Sequence, residues 1–377
     1  MTSGFRAPEQ KNLVEWFRRY RRDLPWRTFS KKGTRDPYQT WVSEIMLQQT
    51  QVATVIPYFK KWMKKFPTIK HLHDATEKDV MEVWSGLGYY SRGKNLKAGA
   101  AQILQEYHGE FPRDKKGWLG LKGVGEYTAG AVLSLAFNQQ VPILDGNLIR
   151  VFSRFYGLRE LPDTAAQKKK YWDIAESWCQ CEQPQLVNEG LMELGALICV
   201  AKNPQCTKCP LKKQCFAFKR NLQDVLPPAK KKLEVIPYRG AAVVVFYKKG
   251  ALLSPPGPKK WLQDQFTVPM LSNMGNAFPE ESDLYKAWPF LKGISLYKNP
   301  HRIRHAITRH RIELDVYAAQ VKRRMLPESA GWDYVQGPMD TVLFASLSHK
   351  IWMAAVKLMK KNQSGTAQQR KPITELL

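Results

Sequence analysis

Four of the six cysteines stand close enough together in the sequence to hold one metal centre. They fall within 17 residues with the spacing Cys-x6-Cys-x2-Cys-x5-Cys, at Cys199, Cys206, Cys209 and Cys215. Thiolates are soft ligands that suit zinc or an iron–sulfur cluster, and in a chain expected to be intracellular metal binding is favoured over disulfides. A centre with four protein ligands is closed, which favours a structural role over a catalytic one. The spacing alone leaves zinc and iron open.

Two carboxylates occupy positions where an acid is unusual. Glu44 lies within residues 41–50, among side chains that would otherwise be buried. Buried acids are uncommon unless they are paired or functional. Asp145 ends the apolar stretch 141–144 and precedes a predicted helix, where it could serve as the N-cap. On this basis each acid could be structural or catalytic.

A glycine-containing turn precedes an apolar helix predicted at residues 131–137. Gly123 and Gly125 permit a tight turn in which backbone N–H groups and the following helix N-terminus face a phosphate. A Gly-x-Gly pair alone is weak evidence, because many helices are joined by such turns. The charge balance strengthens the interpretation that this turn binds phosphate, since 59 Lys and Arg against 33 Asp and Glu leave a net charge of +26.

The composition favours a folded protein that binds nucleic acid. The positive charge requires an anionic partner, while 44% hydrophobic and 11% aromatic residues exclude a disordered polycation. No run of 18 apolar residues exists, and the N-terminus lacks the apolar core of a signal peptide. No predicted helix pairs a basic face with a lipid-seeking face. We therefore expect a cytoplasmic protein without a membrane partner.

The elements that must position these residues change in type along the chain. The length of 377 residues predicts two domains. Residues 8–220 carry apolar side chains at helical spacing, as in 38–59, and few strand signals. Pro227, Pro228 and the lysines that follow them indicate an exposed connector.

Beyond the connector the pattern indicates strands. Residues 241–247 form a short β-branched run, and residues 312–317 alternate between apolar and polar. A last helix is expected from about 341 to 361. The prediction is an all-α domain over 1–226, a linker over 227–238, an α+β domain over 239–361 and a flexible tail over 362–377.

Six segments taken together resemble the helix–hairpin–helix DNA glycosylases of the endonuclease III superfamily, most closely the adenine DNA glycosylases. They are, in order, Leu24-Pro25-Trp26-Arg27, residues 43–50, Gly86-Leu87-Gly88-Tyr89-Tyr90-Ser91-Arg92, the glycine turn at 121–130, residues 143–147 and the four cysteines. The resemblance covers about residues 8–220 and extends more weakly into the C-terminal domain.

The resemblance implies a fold and an activity. Residues 1–226 would form two helical lobes with the substrate pocket between them, one lobe closed by a [4Fe–4S] cluster in the loop 199–215. Residues 239–361 would form a Nudix-like domain that recognises 8-oxoguanine. The enzyme would hydrolyse the N-glycosidic bond of adenine mispaired with 8-oxoguanine or guanine in duplex DNA, which initiates base excision repair.

The resemblance also implies the roles of the two carboxylates. Glu44 would protonate adenine at N7, and Asp145 would stay ionised and stabilise the oxocarbenium-like sugar. Because a base inside a duplex cannot be reached, adenine must be flipped out of the helix.

Further residues are implied to contact the DNA. Gln49 and Tyr89 would enter the helix around 8-oxoguanine, with Thr50 and Leu87 beside it. For Trp26, Tyr89 and Leu87 taken singly, core packing is the alternative. The remaining residues implied in DNA binding, in the adenine pocket or in support of its acids are Trp26, Arg27, Gly123, Gly125, Tyr127, Asn147 and Glu189.

Three departures from related proteins refine the expected function. Lyase-competent relatives carry a lysine nucleophile in the hairpin helix, and here Tyr127 takes that place, which predicts a monofunctional glycosylase. The C-terminal domain lacks a Nudix box, which predicts binding without hydrolysis. Where the family presents Phe-Ser-His to 8-oxoguanine, this chain has Ile307, Thr308 and Arg309. We expect Thr308 to supply the hydrogen bond that distinguishes 8-oxoguanine from guanine, and Arg309 to add attraction to the phosphates. The alternative readers are the nearby histidines or the N-terminal domain.

The rival interpretations are a bifunctional endonuclease III-like glycosylase and lyase, a non-catalytic DNA-binding protein and a nucleotide pyrophosphohydrolase. Tyr127 opposes the first, the presence of both Glu44 and Asp145 opposes the second, and the missing Nudix box opposes the third. We expect a monomer, associated with the nucleoid if the source is bacterial.

Overall fold

The chain divides into two compact units. The computed structural model describes residues 7–28, 35–229, 234–255, 266–273, 277–307, 309–324, 331–336, 343 and 346–367. Contacts between Cα atoms separate a first unit, 1–231, from a second unit, 232–377. The second unit's first strand begins at Ile236, so the expected linker, 227–238, ends three residues too late.

The first unit is built of helices. They are α1 (Pro8–Tyr20), α2 (Pro37–Leu47), α3 (Val52–Lys65), α4 (Ile69–Asp74), α5 (Glu77–Trp84), α6 (Ser91–Glu106), α7 (Lys115–Gly120), α8 (Glu126–Phe137), α9 (Gly146–Tyr156), α10 (Ala165–Cys179), α11 (Pro184–Leu197) and α12 (Phe216–Lys219). The helical character predicted for residues 8–220 is therefore confirmed. Among the described residues, no helix is both long and apolar enough to cross a membrane.

One predicted helical stretch is interrupted. Residues 38–59 were expected to continue at helical spacing, but α2 ends at Leu47 and α3 begins at Val52. Gln49 adopts a φ of 58°, which lies outside the right-handed helical region and ends the ladder of hydrogen bonds. The resulting loop places its side chains beside the functional cavity described below.

Two hydrophobic cores lie in the helical unit, and α8 contributes to both. The first core contains the fully buried Trp41, Trp62 and Trp84, together with Val132 from α8. The second core is formed mainly by α1, α9, α10 and α11, and α8 adds Leu135. Because α8 is apolar on all sides, it forms the shared wall between the two cores.

Helices α7 and α8 form a hairpin around the predicted glycine turn. Gly123 has a φ of 77°, and a Cβ atom placed there would lie 2.6 Å from the Asn95 side chain. A side chain at this position would therefore be both strained and crowded. Gly125 is the N-cap of α8, with its backbone extended at a φ of −109°.

The second unit contains a mixed sheet. Its elements are β1 (Ile236–Tyr247), β2 (Gly250–Leu253), β3 (Met270–Asn273), α13 (Glu281–Ala287), β4 (His301–Ile307), β5 (His310–Gln320), β6 (Asp333–Gln336) and α14 (Ser346–Ala367). The strand order is β4-β5-β1-β2-β6, and β3 pairs with β1 beside this path. Strands β1 and β5 run parallel, whereas the other pairs are antiparallel. The strands predicted at 241–247 and 312–317 are confirmed.

Both faces of the sheet are covered, which explains the unbroken apolar run in β1. Val244 faces a core that includes Ile351 of α14, while Val243 faces the opposite core with Leu284 of α13. Helix α14 begins at Ser346 and continues to Ala367, so the flexible tail expected from 362 is wrong as far as 367. Polarity alone does not end a helix, because exposed positions accept polar residues. Residues 368–377 lie outside the described residues.

Candidate active site

A cavity of about 560 Å³ opens between the two cores of the helical unit, within the size range of small-molecule sites. It is lined by side chains from both cores, such as Trp26 of the first and Leu135 of the second. The implied site residues that the fold brings to this cavity are Trp26, Arg27, Glu44, Gln49, Thr50, Tyr127, Asp145, Asn147 and Glu189.

Glu44 is held in the cavity wall by its helix. Its neighbours Trp41, Ile45 and Met46 are buried in the first core, so α2 has little freedom to move the carboxyl group toward solvent. Burial raises the pKa of Glu44 to about 7, against the lowering effect of the hydrogen bond that the Tyr127 hydroxyl donates to its Oε2 at 2.8 Å. The carboxyl is therefore substantially protonated near neutral pH.

Asp145 is both a helix cap and a cavity residue. Its Oδ1 accepts from the backbone N–H groups of Asn147 at 2.9 Å and Leu148 at 2.8 Å, and Oδ2 accepts from Asn147 Nδ2 at 3.0 Å. Burial raises the pKa of Asp145, and these hydrogen bonds act in the opposite direction. The N-cap role considered from the sequence is confirmed, and it orients the carboxylate into the cavity.

Tyr127 stands on α8, next to the hairpin turn. Burial is the main cause that raises the pKa of its hydroxyl well above the ordinary value, and the adjacent Glu44 adds to the effect. The phenol consequently remains a neutral hydrogen-bond donor to Glu44.

A buried network of charges closes one side of the cavity. Arg27 pairs with Glu189 at 3.0 Å and with Glu193 at 2.8 Å, while Arg22 pairs with Glu193 at 2.8 Å and Arg35 pairs with Glu189. Burial alone would raise the pKa of Glu193, but the hydrogen bonds from Arg22 and Arg27 outweigh it and lower this pKa to about 2. Sequence reasoning missed Arg22, Arg35 and Glu193. The i, i+4 spacing of Glu189 and Glu193, which places both on one face of α11, was the sequence feature that could have identified Glu193.

Several implied DNA-contact residues lie outside the cavity lining. Leu87 is 6% exposed and packs in the first core, whereas Tyr89 is 59% exposed with a φ of 48°. Gly123 and Gly125 lie in the α7–α8 hairpin. In the second unit, Arg309 is exposed in the turn between β4 and β5, and Thr308 lies outside the described residues.

The four predicted metal ligands line one pocket. Arg154 also lines it, with Nη1 placed 3.4 Å from Cys199 Sγ. Burial raises the pKa of the Cys209 thiol to about 12, and the neighbouring cysteines add to this rise. Among the described residues, no group of three or more His, Cys, Asp or Glu side chains is placed to hold a metal ion.

Hydrogen bonds connect the cysteine loop to Asp145. Arg150 donates from Nε to the Cys199 carbonyl at 2.7 Å and from Nη2 to Asn147 Oδ1 at 2.8 Å. Asn147 in turn donates to Asp145. A chain of hydrogen bonds therefore links the loop that carries the first cysteine to the Asp145 carboxylate.

The helical unit is similar to a class of DNA repair proteins. Residues 42–177 match the family model described as HhH-GPD superfamily base excision DNA repair protein. A solved structure of a thermostable thymine-DNA glycosylase is similar with a TM-score of 0.51 and 30% sequence identity, covering 56% of this chain and 95% of that chain.

Curated relatives narrow the class to one family. Adenine DNA glycosylase from Buchnera aphidicola subsp. Schizaphis graminum is 36% identical over 258 residues, covering 68% of this chain and 73% of that protein. The chain belongs to the adenine DNA glycosylase family.

Other relatives in this family are longer than the region they share with the chain. Adenine DNA glycosylase from Rattus norvegicus is 43% identical over 215 residues, covering 56% of this chain and 42% of that protein. Adenine DNA glycosylase from Buchnera aphidicola subsp. Acyrthosiphon pisum is 45% identical over 206 residues, covering 54% of this chain and 57% of that protein. The chain thus spans about half the length of these two relatives.

Proposed function

We propose that this protein is a monofunctional DNA glycosylase that hydrolyses the N-glycosidic bond of adenine mispaired with 8-oxoguanine or guanine in duplex DNA. The observation that carries the proposal is the buried Glu44 carboxyl, whose pKa of about 7 makes it a proton donor at neutral pH, in a cavity that it shares with Asp145. Family membership supports adenine as the base.

In the proposed reaction the two carboxyl groups have different tasks. Glu44 donates its proton to N7 of the flipped adenine, so that the base leaves as a neutral species. Asp145 stabilises the positive charge that develops on the sugar, and its three hydrogen-bond donors at the N-terminus of α9 favour the ionised form. Water then attacks the sugar carbon.

The remaining cavity residues prepare this reaction. Tyr127 orients the Glu44 carboxyl through its hydrogen bond. It offers no amine for a Schiff base with the sugar, which supports a glycosylase without lyase activity. Trp26, Asn147 and the Arg27–Glu189 pair form the walls against which the base is held.

In the proposal, Cys199, Cys206, Cys209 and Cys215 hold a [4Fe–4S] cluster. All four thiols line the same pocket, and the family typically carries such a cluster. Bound there, the cluster would cross-link residues 199–215 and fix this loop on the second core, to which Cys199 and Cys209 already pack. Its role in the proposal is structural.

The second unit is proposed to be a Nudix-like domain that reads 8-oxoguanine opposite the adenine. Its mixed sheet, covered by helices on both faces, is compatible with that assignment. The proposed reader is Thr308, which lies outside the described residues. Arg309, in the turn between β4 and β5, is proposed to attract the phosphates. The partner is duplex DNA, bound by a monomer in the cytoplasm.

The direct test is a base-release assay. Duplexes with adenine opposite 8-oxoguanine, guanine or thymine are incubated with excess protein, and alkali then cleaves the strand at abasic sites. We expect the wild-type protein to release adenine opposite 8-oxoguanine and opposite guanine. Glu44→Gln and Asp145→Asn should release almost no adenine, although their DNA affinity should be similar to that of the wild type. No release by the wild-type protein, or near-normal rates in both variants, would contradict the proposal.

A further inference from the structure

One buried arginine connects two loops of the helical unit. Arg92 is the second residue of α6 and is 8% exposed. The first loop, residues 48–51, joins α2 to α3, and the second loop, residues 85–90, joins α5 to α6. Under the proposed function, Gln49 of the first loop and Tyr89 of the second enter the DNA helix.

The guanidinium holds the C-terminal end of α2 together with the first loop. Arg92 Nη1 donates to the carbonyls of Ile45 at 2.8 Å, Met46 at 3.0 Å and Gln48 at 2.5 Å. These carbonyls end α2 and lack helical partners, so the arginine supplies the donors that water would otherwise supply. Nη2 reaches Thr50 Oγ1 at 3.3 Å.

The same side chain holds the second loop. Nη2 also donates to the Gly88 carbonyl at 3.1 Å, and Nε donates to the Tyr89 carbonyl at 3.4 Å. The guanidinium carbon lies 5.4 Å from the ring centroid of Tyr89 and 5.4 Å from that of Trp84. One planar group therefore contacts both loops at once, which a lysine ammonium with a single nitrogen cannot do.

Both loops need such support because one residue in each, Gln49 and Tyr89, has an unfavourable backbone conformation. Gln49 has a φ of 58° and Tyr89 a φ of 48°, in the left-handed region that residues other than glycine seldom adopt. Conformations of this kind persist only where surrounding contacts fix them. Arg92 bonds the carbonyl that precedes Gln49 and the carbonyl of Tyr89 itself, so its contacts fall at the strained positions.

We propose that Arg92 is a positioning residue that sets the two loops for recognition of mispaired DNA, an inference that rests on the proposed function. The unbound protein already holds Gln49 and Tyr89 in place, which lowers the entropy lost when they enter the duplex. Arg92 acts through these residues and not on the reacting atoms. Its burial among carbonyls also leaves little of the guanidinium for a phosphate.

The test compares Arg92→Lys with Arg113→Lys, both in a Glu44→Gln background that suppresses base release. Arg113 is an exposed arginine stacked on Phe137 at 5.2 Å, and its described contacts involve neither loop. Dissociation constants are measured for a duplex containing adenine opposite 8-oxoguanine and for the fully paired duplex of the same sequence. We expect Arg92→Lys to weaken mispair binding about tenfold and paired binding less than twofold, with no change for Arg113→Lys.

A second measurement separates positioning from general damage to the fold. If Arg92 acts through the loop side chains, Arg92→Lys has little further effect on mispair preference once Gln49→Ala and Tyr89→Ala are present. With Glu44 restored, the pH at which base release declines should be the same in Arg92→Lys and wild type. If Arg92→Lys does not fold, Arg92→Gln keeps an amide donor but loses the planar fork that contacts both loops, and it should reduce the preference in the same direction.

Three results for Arg92→Lys would overturn the inference. They are an unchanged preference for the mispair, equal weakening of binding to the two duplexes, and an effect on the preference that adds fully to those of Gln49→Ala and Tyr89→Ala. These outcomes concern binding. Failure of the proposed function appears separately, as absence of adenine release by the wild-type protein.

Discussion

At the scale of single residues, the environment of Glu44 links the proposed chemistry to stability. The pKa of Glu44 is about 7 in the folded protein, against an ordinary value of 4.5. Between these pH values the folded protein holds a proton that the unfolded chain has released. Folding is therefore favoured less as pH rises across this window.

We expect Glu44→Gln to stabilise the protein above pH 7. The neutral amide removes the cost of ionising a buried group, so the free energy of unfolding at pH 8 should exceed that of the wild type by about 1–3 kcal/mol. The difference should be several-fold smaller at pH 5, because that pH lies close to the ordinary pKa of 4.5. Calorimetric Tm values at both pH values measure it.

Glu193→Gln is the matched control for this change. The pKa of Glu193 is lowered to about 2 because Arg22 and Arg27 bind its ionised form, so its loss should reduce Tm at pH 5 and at pH 8. A lower Tm for Glu44→Gln than for wild type at pH 8 would contradict the assigned environment of Glu44.

The hydrogen bond from Tyr127 gives a second prediction at this scale. Base release should decline as pH rises through about 7, because Glu44 loses the proton that it donates. The hydrogen bond from the Tyr127 hydroxyl lowers the pKa of Glu44, so Tyr127→Phe should move this decline to higher pH. Single-turnover rates across pH 5–9 test the direction, and a shift to lower pH would refute it.

At the scale of elements, the α7–α8 hairpin depends on a backbone that only glycine adopts easily. Gly123→Ala places a Cβ against Asn95 at a φ of 77°, so we expect a loss of about 1–3 kcal/mol in stability and weaker DNA binding. Gly120→Ala is the control, because a Cβ there meets no atom within 4 Å. Equal DNA affinity for the two variants would argue against a hairpin contact to phosphate.

The cysteine loop is the second element whose structure can be tested directly. The purified protein should be brown and contain about four iron atoms and no stoichiometric zinc. Cys206→Ala should lose iron, lower Tm and weaken DNA binding, because metal binding and folding of the loop are coupled. Cys179→Ala is a useful comparison, since Cys179 is buried outside the four-cysteine pocket. A colourless, zinc-loaded and fully active protein would defeat the cluster assignment.

At the scale of the whole molecule, the net charge of +26 predicts binding to DNA that weakens steeply with salt. Arg309 is an exposed contributor in the proposed lesion-reading turn. Arg309→Ala should weaken binding to adenine opposite 8-oxoguanine and to adenine opposite guanine by similar factors. It should also reduce by about one the slope of the logarithm of the binding constant against the logarithm of the salt concentration. Arg324→Ala is the comparison, because Arg324 already pairs with Asp333. An unchanged slope for Arg309→Ala would place this turn away from the phosphates.

Much of the architecture follows from local pattern. Helical periodicity before residue 220 and β-branched runs after residue 240 predict the two types of unit, since these signals arise from neighbours in the chain. The same reasoning failed where local polarity was the only signal, as at residues 362–367, which continue α14. It also missed the loop after Leu47, where Gln48 and Thr50 accept hydrogen bonds from Arg92, more than 40 residues away.

By itself, the sequence determined the chemical types available at the site: two carboxylates, a tyrosine in place of a lysine, and four thiols at a metal-binding spacing. Only the tertiary structure decided that Tyr127 bonds Glu44 across 83 residues, and that Arg35 and Glu193 join the cavity network. The pKa of Glu44 was likewise decided only by the tertiary structure. It depends on how much water and which charges surround the carboxyl group, and those surroundings exist only when helices distant in the sequence pack together.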